Sequence, residues 1–237
     1  MRKWARVSVV IPALNEELAI GRVIADIPAW VDEIVVVDNG STDATGAVAA
    51  SMGARVVVEY QRGYGAACQL GIAAARDADI IVFLDGDYSD YPHEMAALVD
   101  PIVAGAAEIV IGSRVTGAAE PRALLPQQRF GNWLACSLMR LLFSATFTDL
   151  GPFRAIRTEA LQRLKMHDRA YGWTVEMQIK AVKARLAIQE VPVSYRPRVG
   201  VSKISGTVRG SILAGITILA VIAKSIPLKR QALVKPY

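Results

Sequence analysis

The run Ile80-Ile81-Val82-Phe83-Leu84 leads straight into Asp85-Gly86-Asp87. Five apolar residues in a row are what a strand buried on both faces of a parallel sheet requires. Ligands of open α/β sheets bind beyond the carboxyl ends of their strands. Two carboxylates therefore stand two residues apart where a ligand would lie. Gly86 between them has no side chain and lets a bulky group approach the backbone. Paired hard oxygens suit Mg²⁺ or Mn²⁺, ions that share their coordination with substrate phosphates. The chemistry this predicts is a metal-assisted reaction on a diphosphate, with Asp85 and Asp87 as the metal ligands.

Other uses of an acid pair fit less well. An EF-hand loop counted from Asp85 needs Gly at its sixth position and Glu at its twelfth, where this chain has Asp90 and Ala96. Phosphatases that place Asp-x-Asp after an apolar strand use the first strand of the domain, and here three strand-like runs come earlier. Simple capping of a strand end and the helix after it is the competing reading of the pair alone, because Asp is common at such junctions.

The elements that must position these acids alternate along the first half of the chain. Strands are expected at Val7–Ile11, Ile34–Val37, Val56–Val58, Ile80–Leu84 and Glu108–Ile111. Helices are expected from about Asn15 to Ile27, from near Ser41, through Leu70–Ala75, and from Pro92, a residue favoured in a first helical turn. Repeated β-α-β units give an α/β fold with a mostly parallel central sheet and helices on both faces. Four strand ends then deliver polar groups to one rim: Pro12-Ala13-Leu14-Asn15-Glu16, Asp38-Asn39-Gly40-Ser41, Asp85-Gly86-Asp87 and Gly112-Ser113-Arg114. At any one end capping is an adequate explanation, since Asn15 and Ser41 are good N-caps. Four converging ends favour a site. Gly63-Tyr64-Gly65 resembles a dinucleotide fingerprint, but Cys68 stands where the third glycine belongs. A turn and helix start near a nucleotide is the better reading. Of the histidines, His93 reads as a first-turn helix residue and His167 as loop surface. Tyr171 and Trp173 suit either a core or the wall of a ligand pocket.

Length and composition bound the answer. The chain has 237 residues, is 53% hydrophobic and carries a net charge of +5. That supports one sizeable α/β domain. Cys68 and Cys136 form neither a disulfide framework nor a metal knuckle and read as buried thiols of a reducing compartment. The basic start Met1–Arg6 precedes an apolar run that Pro12 interrupts, so it reads as a first strand rather than a signal peptide. The charge is unevenly spread. Residues 180–237 hold eleven Lys/Arg against one acid, Glu190, which leaves −5 on the rest. A basic end implies an anionic partner. Nucleic acid is the least favoured, because no aromatic-rich binding strand, zinc finger or helix-turn-helix is present. Segment 129–147 reads as a helix apolar on most faces, either a core helix or one that dips into a membrane surface. Ser211–Ala223 is uncharged and bracketed by Arg209 and Lys224. It falls short of the ~20 residues a span needs. A helix lying in the membrane interface, with Lys224, Lys229 and Arg230 near headgroups, is expected.

Taken together, Val9-Val10-Ile11-Pro12-Ala13-Leu14-Asn15-Glu16, Val37-Asp38-Asn39-Gly40-Ser41-Thr42-Asp43 and Leu84-Asp85-Gly86-Asp87 resemble the family 2 glycosyltransferases with a GT-A fold. Ile111-Gly112-Ser113-Arg114, Gly151-Pro152-Phe153-Arg154 and Ser202-Lys203 resemble the dolichol- and polyprenyl-phosphate branch of that family. The resemblance covers about residues 5–210. It implies that Pro12, Asn15 and Glu16 hold the nucleotide and that Asp38 reads the base. Asp85, Gly86 and Asp87 match the metal and diphosphate motif, with Asp87 the more direct ligand. Arg114, Arg129, Arg198, Ser202 and Lys203 match or adjoin positions that bind acceptor phosphate. Asp149 matches an acid beside the acceptor. Two departures stand out. Ser89 replaces a glutamine common in the branch, leaving the metal shell to water or Asp90. The stretch from Arg198 to Ser202 is one residue short, which leaves Arg196 and Arg198 as alternatives.

The function so implied is inverting transfer of a hexose, glucose or mannose, from a UDP- or GDP-sugar to polyprenyl or dolichyl phosphate, with Mg²⁺ or Mn²⁺. Asp87, Asp149, Glu176 and Arg114 are the expected catalytic groups. A sugar hydroxyl acceptor would need a general base, Glu176 or Asp149. A phosphate monoester, with a second pKa near 6, is largely dianionic at pH 7 and needs cations instead. The alternative is the same fold acting on a soluble phosphorylated or saccharide acceptor. A catalytic domain over residues 1–205 with an interfacial basic helix over 206–237 is expected. So is peripheral attachment to an anionic membrane at its cytoplasmic face. A homo-oligomer is left open.

Overall fold

A computed structural model describes residues 5–200 and 208–226. Seven strands form one sheet: β1 (Val7–Ala13), β2 (Glu33–Asp38), β3 (Arg55–Val58), β4 (Ile80–Phe83), β5 (Ile109–Ser113), β6 (Arg154–Arg157) and β7 (Ile188–Pro192). Their order is β3-β2-β1-β4-β6-β5-β7. All neighbouring pairs are parallel except those made by β6, which runs antiparallel to both β4 and β5. The central strands are buried on both faces, which explains their unbroken apolar runs. Val10, Val35, Val37, Ile81 and Phe83 face one core, beneath α3 (Tyr64–Ala74), α5 (Pro126–Phe143) and α7 (Trp173–Lys183). Val9, Ile11, Val36, Val82 and Leu84 face the other, beneath α1 (Ile20–Ala25) and α4 (Met95–Val103). The remaining helices are α2 (Thr45–Ser51), α6 (Thr158–Leu164) and α8 (Val208–Lys224).

The first helix is shorter than its sequence suggests. Asn15 adopts a left-handed backbone (φ 54°). Its side chain braces the next loop instead of capping a helix: Asn15 Oδ1 accepts from Thr42 N at 2.8 Å, and Asn15 N donates to Ser41 Oγ at 2.9 Å. Glu16 N donates to buried Thr45 Oγ1 at 2.8 Å. Both polar loops are thereby fixed to one another, and both helices start later than the cap residues imply.

Helix α3 lies tight against the sheet and against loop 168–170. A Cβ at Gly71 would collide with Val10 Cγ1 and stand 3.0 Å from Val37 Cγ2. A Cβ at Gly65 would collide with the carbonyl oxygen of Asp168, while Gly65 N donates to Ala170 O at 3.1 Å. This is the close approach that Gly63-Tyr64-Gly65 serves. Gly65→Ala is expected to destabilise the protein by ~1–3 kcal/mol, the usual cost of overpacking, which urea denaturation measures.

Helix α5 is not a core helix. Only Ala135, Cys136 and Met139 are buried, whereas Phe130 and Trp133 are 62% exposed and Leu141 is 77% exposed. Helix α8 packs on α5 and α7 and buries Ile222, with Leu213, Ile216 and Leu219 left exposed. Among the described residues no helix is long and apolar enough to cross a membrane. Ser202, Lys203, Lys229 and Arg230 lie outside the described residues. Cys68 and Cys136 are free and buried, as expected.

Candidate active site

The rim at the carboxyl ends of β1, β2 and β4 encloses a cleft of about 420 Å³. Pro12, Asn15, Glu16, Asp85, Gly86, Asp87 and Arg198 all line it. Asp87 is 8% exposed. Its Oδ1 accepts from Ser89 N at 2.9 Å and from the Ser89 hydroxyl, while its Oδ2 lies 3.2 Å from Arg198 Nη1. Arg198 Nη2 also donates to Glu16 Oε1 at 2.6 Å. Ser89 is thus a support for Asp87, buried behind it. Arg196 is held elsewhere, 3.3 Å from the Tyr88 ring centre and 4.2 Å from that of Tyr91. Of the two arginines the sequence left open, Arg198 is the one in the cleft.

Asp85 sits deeper. Burial, and then the neighbouring Asp87 carboxylate, push its carboxyl up from 3.8 to about 7, against the opposing pull of the Tyr64 hydroxyl, Arg114 and Arg198. Its Oδ1 is buried with no hydrogen-bond partner among the described residues. A folded-state pKa above the unfolded one gives a contribution to stability that is present below pH 3.8 and is lost as pH rises through about 7. Asp85→Asn, which carries no such charge, is therefore expected to gain thermal stability relative to wild type in the ligand-free protein. The gain should grow from about pH 4 to about pH 7 and then level off. A difference in Tm that stayed flat across this range would contradict the burial of an ionisable Asp85.

The donor set fits a divalent ion. Asp85 offers an unpartnered oxygen, and Asp87 offers one that faces only a cation. No group of three or more metal-binding side chains is present among the described residues, so an ion here would take the rest of its shell from substrate phosphates and water, as Mg²⁺ commonly does.

Several residues fall differently from expectation. Gly86 contributes backbone to the cleft, but a Cβ there would face Ile11, Ala13 and Ile20 at 3.5 Å in the core, so its lack of a side chain opens no room for a ligand. Asp38 does not line the cleft: its Oδ1 accepts from Ser41 N at 2.7 Å and caps the turn. Asn39 lines it instead, and ties down loop 59–63 by donating to Glu59 O and Gln61 O and accepting from Gly63 N. Arg62, Tyr64 and Tyr171 complete the wall, while Trp173 is core at 1% exposure. Glu176 lines neither the cleft nor the groove described next. Its carboxylate accepts from His167 N and from Asp168 N (2.8 Å) and pairs with Lys180 at 2.7 Å. It anchors the loop that carries Tyr171 and is not placed as a base.

Beside the cleft runs a larger groove of about 830 Å³. Arg114 and Asp149 line it together with Arg122, Arg129 and Arg140, and Phe130 and Trp133 form its apolar wall. Asp149 is fully buried. Its Oδ2 accepts from Arg114 N (2.8 Å) and Nε (2.7 Å), and its Oδ1 from Nη2 (2.7 Å). One further buried residue has a place that the sequence did not reveal. Arg154 is buried among carbonyls of Leu150, Gly151 and Thr174, and burial lowers its pKa to about 10.

A cleft at the strand ends, a paired acid motif and a large basic groove suit an enzyme that handles anionic substrates, and comparison with known proteins gives the class. The model of glycosyl transferase family 2 matches residues 8–165, and the chain belongs to that family. An uncharacterized glycosyltransferase of Mycobacterium tuberculosis is 40% identical over 211 residues, 88% of this chain and 94% of the relative. A dolichyl-phosphate hexose transferase of Haloferax volcanii is 34% identical over 210 residues, 87% of this chain and 90% of the relative. Glucosyl-3-phosphoglycerate synthase from Mycobacterium tuberculosis, crystallised with Mn²⁺, UDP and glucosyl-3-phosphoglycerate, superposes with a TM-score of 0.79 at 25% identity, covering 97% of this chain and 83% of that one. The fold is therefore GT-A, as the sequence motifs imply, and the protein is a glycosyltransferase.

Proposed function

We propose that this glycosyltransferase is an inverting, metal-dependent enzyme that moves a hexose from UDP- or GDP-sugar onto polyprenyl phosphate. The observation that carries the proposal is the groove. Arg114, Arg122, Arg129 and Arg140 line one channel together with Phe130 and Trp133, cations for a phosphate beside an apolar wall for a lipid tail. Pro12, Asn15 and Glu16 bind the nucleotide, and Asn39 takes the base-facing place expected of Asp38. Asp85 and Asp87 would hold Mg²⁺ or Mn²⁺, which offsets the charge developing on a departing nucleoside diphosphate. Arg114, kept in place by Asp149, and Arg129 orient the acceptor phosphate. Because that phosphate is already dianionic near pH 7, neither Asp149 nor Glu176 has to remove a proton.

The exposed apolar faces of α5 and α8, with Arg129, Arg140 and Lys224 beside them, suit attachment to an anionic membrane. On this reading residues 1–205 form the catalytic domain and 206–237 an interfacial appendage at the cytoplasmic face. A soluble phosphorylated acceptor is the second reading, favoured by the structural likeness to glucosyl-3-phosphoglycerate synthase. Transfer of radiolabel from UDP-glucose and GDP-mannose, with Mg²⁺ or Mn²⁺, to undecaprenyl or dolichyl phosphate separates the two. Label entering the organic phase establishes the lipid acceptor. Label that moves only to 3-phosphoglycerate or another soluble phosphate overturns it.

A further inference from the structure

Residues 194–199 form a strap across the acidic turn. Arg196 N donates to Ser89 O at 3.0 Å, Val199 N donates to Asp87 O at 2.9 Å, and Tyr195 bridges Asp90 and Ala119. Two arginines of this strap are held in unlike ways. Arg196 lies against the faces of Tyr88 and Tyr91, and its Nε donates to Tyr88 O at 2.6 Å. Its Nη2 also lies 3.7 Å from Asp26 Oδ2, and none of these partners lines the cleft. Arg198 spans Glu16 and Asp87 and gains its hold from their charge. Its Nε is buried and has no hydrogen-bond partner among the described residues. A buried donor left unmade costs ~1–3 kcal/mol, so the guanidinium lacks one acceptor in its present position.

We propose that Arg198 is a placeholder cation: in the free protein its guanidinium bridges Glu16 and Asp87, so that it occupies a carboxylate, Asp87, that a divalent ion would claim, and loading of the donor releases it toward a phosphate oxygen. The inference rests on the reading of Asp85 and Asp87 as metal ligands and adds to it an order of events. A monocation neutralises the acidic rim while the cleft is empty, which lowers the affinity for free metal. A divalent ion arriving with a diphosphate outcompetes it. The freed fork then has a phosphate to bind, which supplies the acceptor that Nε lacks.

Mn²⁺ binding to the full chain, followed by the electron paramagnetic resonance signal of the free ion with and without UDP, tests the proposal. Without nucleotide, Arg198→Met should bind Mn²⁺ about tenfold or more tightly than wild type, because a competing charge at ion-pair distance has been removed. Arg198→Lys, whose compact ammonium lacks the planar fork that engages Glu16 and Asp87 together, should fall between them and provides a second variant should the methionine protein fold poorly. General damage to the site weakens metal binding, so a gain cannot come from lost structure. Mn²⁺ bound by all three proteins when UDP is present, with no gain in either variant when it is absent, overturns the placeholder role and leaves the metal site standing. Mn²⁺ bound by none of them even with UDP overturns the metal reading and the placeholder with it.

Discussion

Asp87→Asn should reduce turnover by about 10³-fold or more while the protein stays folded. Asp87 is the carboxylate whose Oδ2 faces the cleft, and Ser89 fixes its other oxygen from behind. Asparagine can keep the bond from Ser89 N through its own oxygen, but it turns an uncharged amide toward the place where a divalent ion would bind. Charge stabilisation by a bound ion is worth several kcal/mol in the transition state, and each ~1.4 kcal/mol is a factor of ten in rate. The cost to folding is much smaller. Arg198 loses one ion-pair partner but keeps Glu16, so its charge is not left unpaired. Turnover at saturating donor and Mn²⁺, measured beside a thermal melt, separates the two effects. A variant retaining a tenth of wild-type turnover would remove Asp87 from the metal site.

Asp149→Ala should have the largest effect on stability, a loss of ~3–5 kcal/mol and a fall in Tm on the order of 10 °C. Burial works to lower the pKa of the Arg114 guanidinium, and Asp149 more than offsets this, holding it above its usual value. Without the carboxylate, three N–H donors of Arg114 lose their acceptor, and a buried cation is left unpaired. Calorimetry measures the loss. The pH dependence of the milder Asp149→Asn variant distinguishes an anchor from a base. If the acceptor phosphate supplies its own charge, the acid limb of the rate profile follows its second pKa near 6 and survives the substitution. A base at Asp149 would take that limb away with it.

The strands that carry the smaller cleft were legible because burial on both faces leaves no room for polar residues. Val9–Ile11, Val35–Val37 and Ile80–Phe83 therefore announce themselves, and their carboxyl ends locate Asn15, Glu16, Asp85 and Asp87. Strands β6 and β7 did not. β6 is four residues with an arginine at each end, and β7 is an edge strand with half-exposed side chains. Neither shows an apolar run or clean alternation. The roles of Asp38 and Asn39 were harder still. Adjacent residues at a strand end point opposite ways, so which one meets the ligand depends on how the chain leaves the strand. Glu176 was misleading for a different reason. An acid in a first helical turn looks the same in sequence whether it is free or, as here, tied to the backbone of a neighbouring loop. The outer face of α5 was read from its composition, which cannot tell a helix buried all round from one that packs on one side and leaves large apolar groups in the open.

Because β6 runs against β4 and β5, segment 144–153 enters the sheet at the same rim that β4 and β5 leave. The residues lining the large groove consequently come from one continuous stretch, Arg114–Asp149, whereas the smaller cleft draws on residues 12–87 with Tyr171 and Arg198 added from later. The chain is in this sense divided into exchangeable parts. A change of length or composition between β5 and β6 rewrites the groove and leaves the first four strands untouched. One scaffold can thereby change what its groove receives through a single segment, and a chimaera that swaps residues 115–148 between relatives has just two splice points, each next to the Arg114–Asp149 pair.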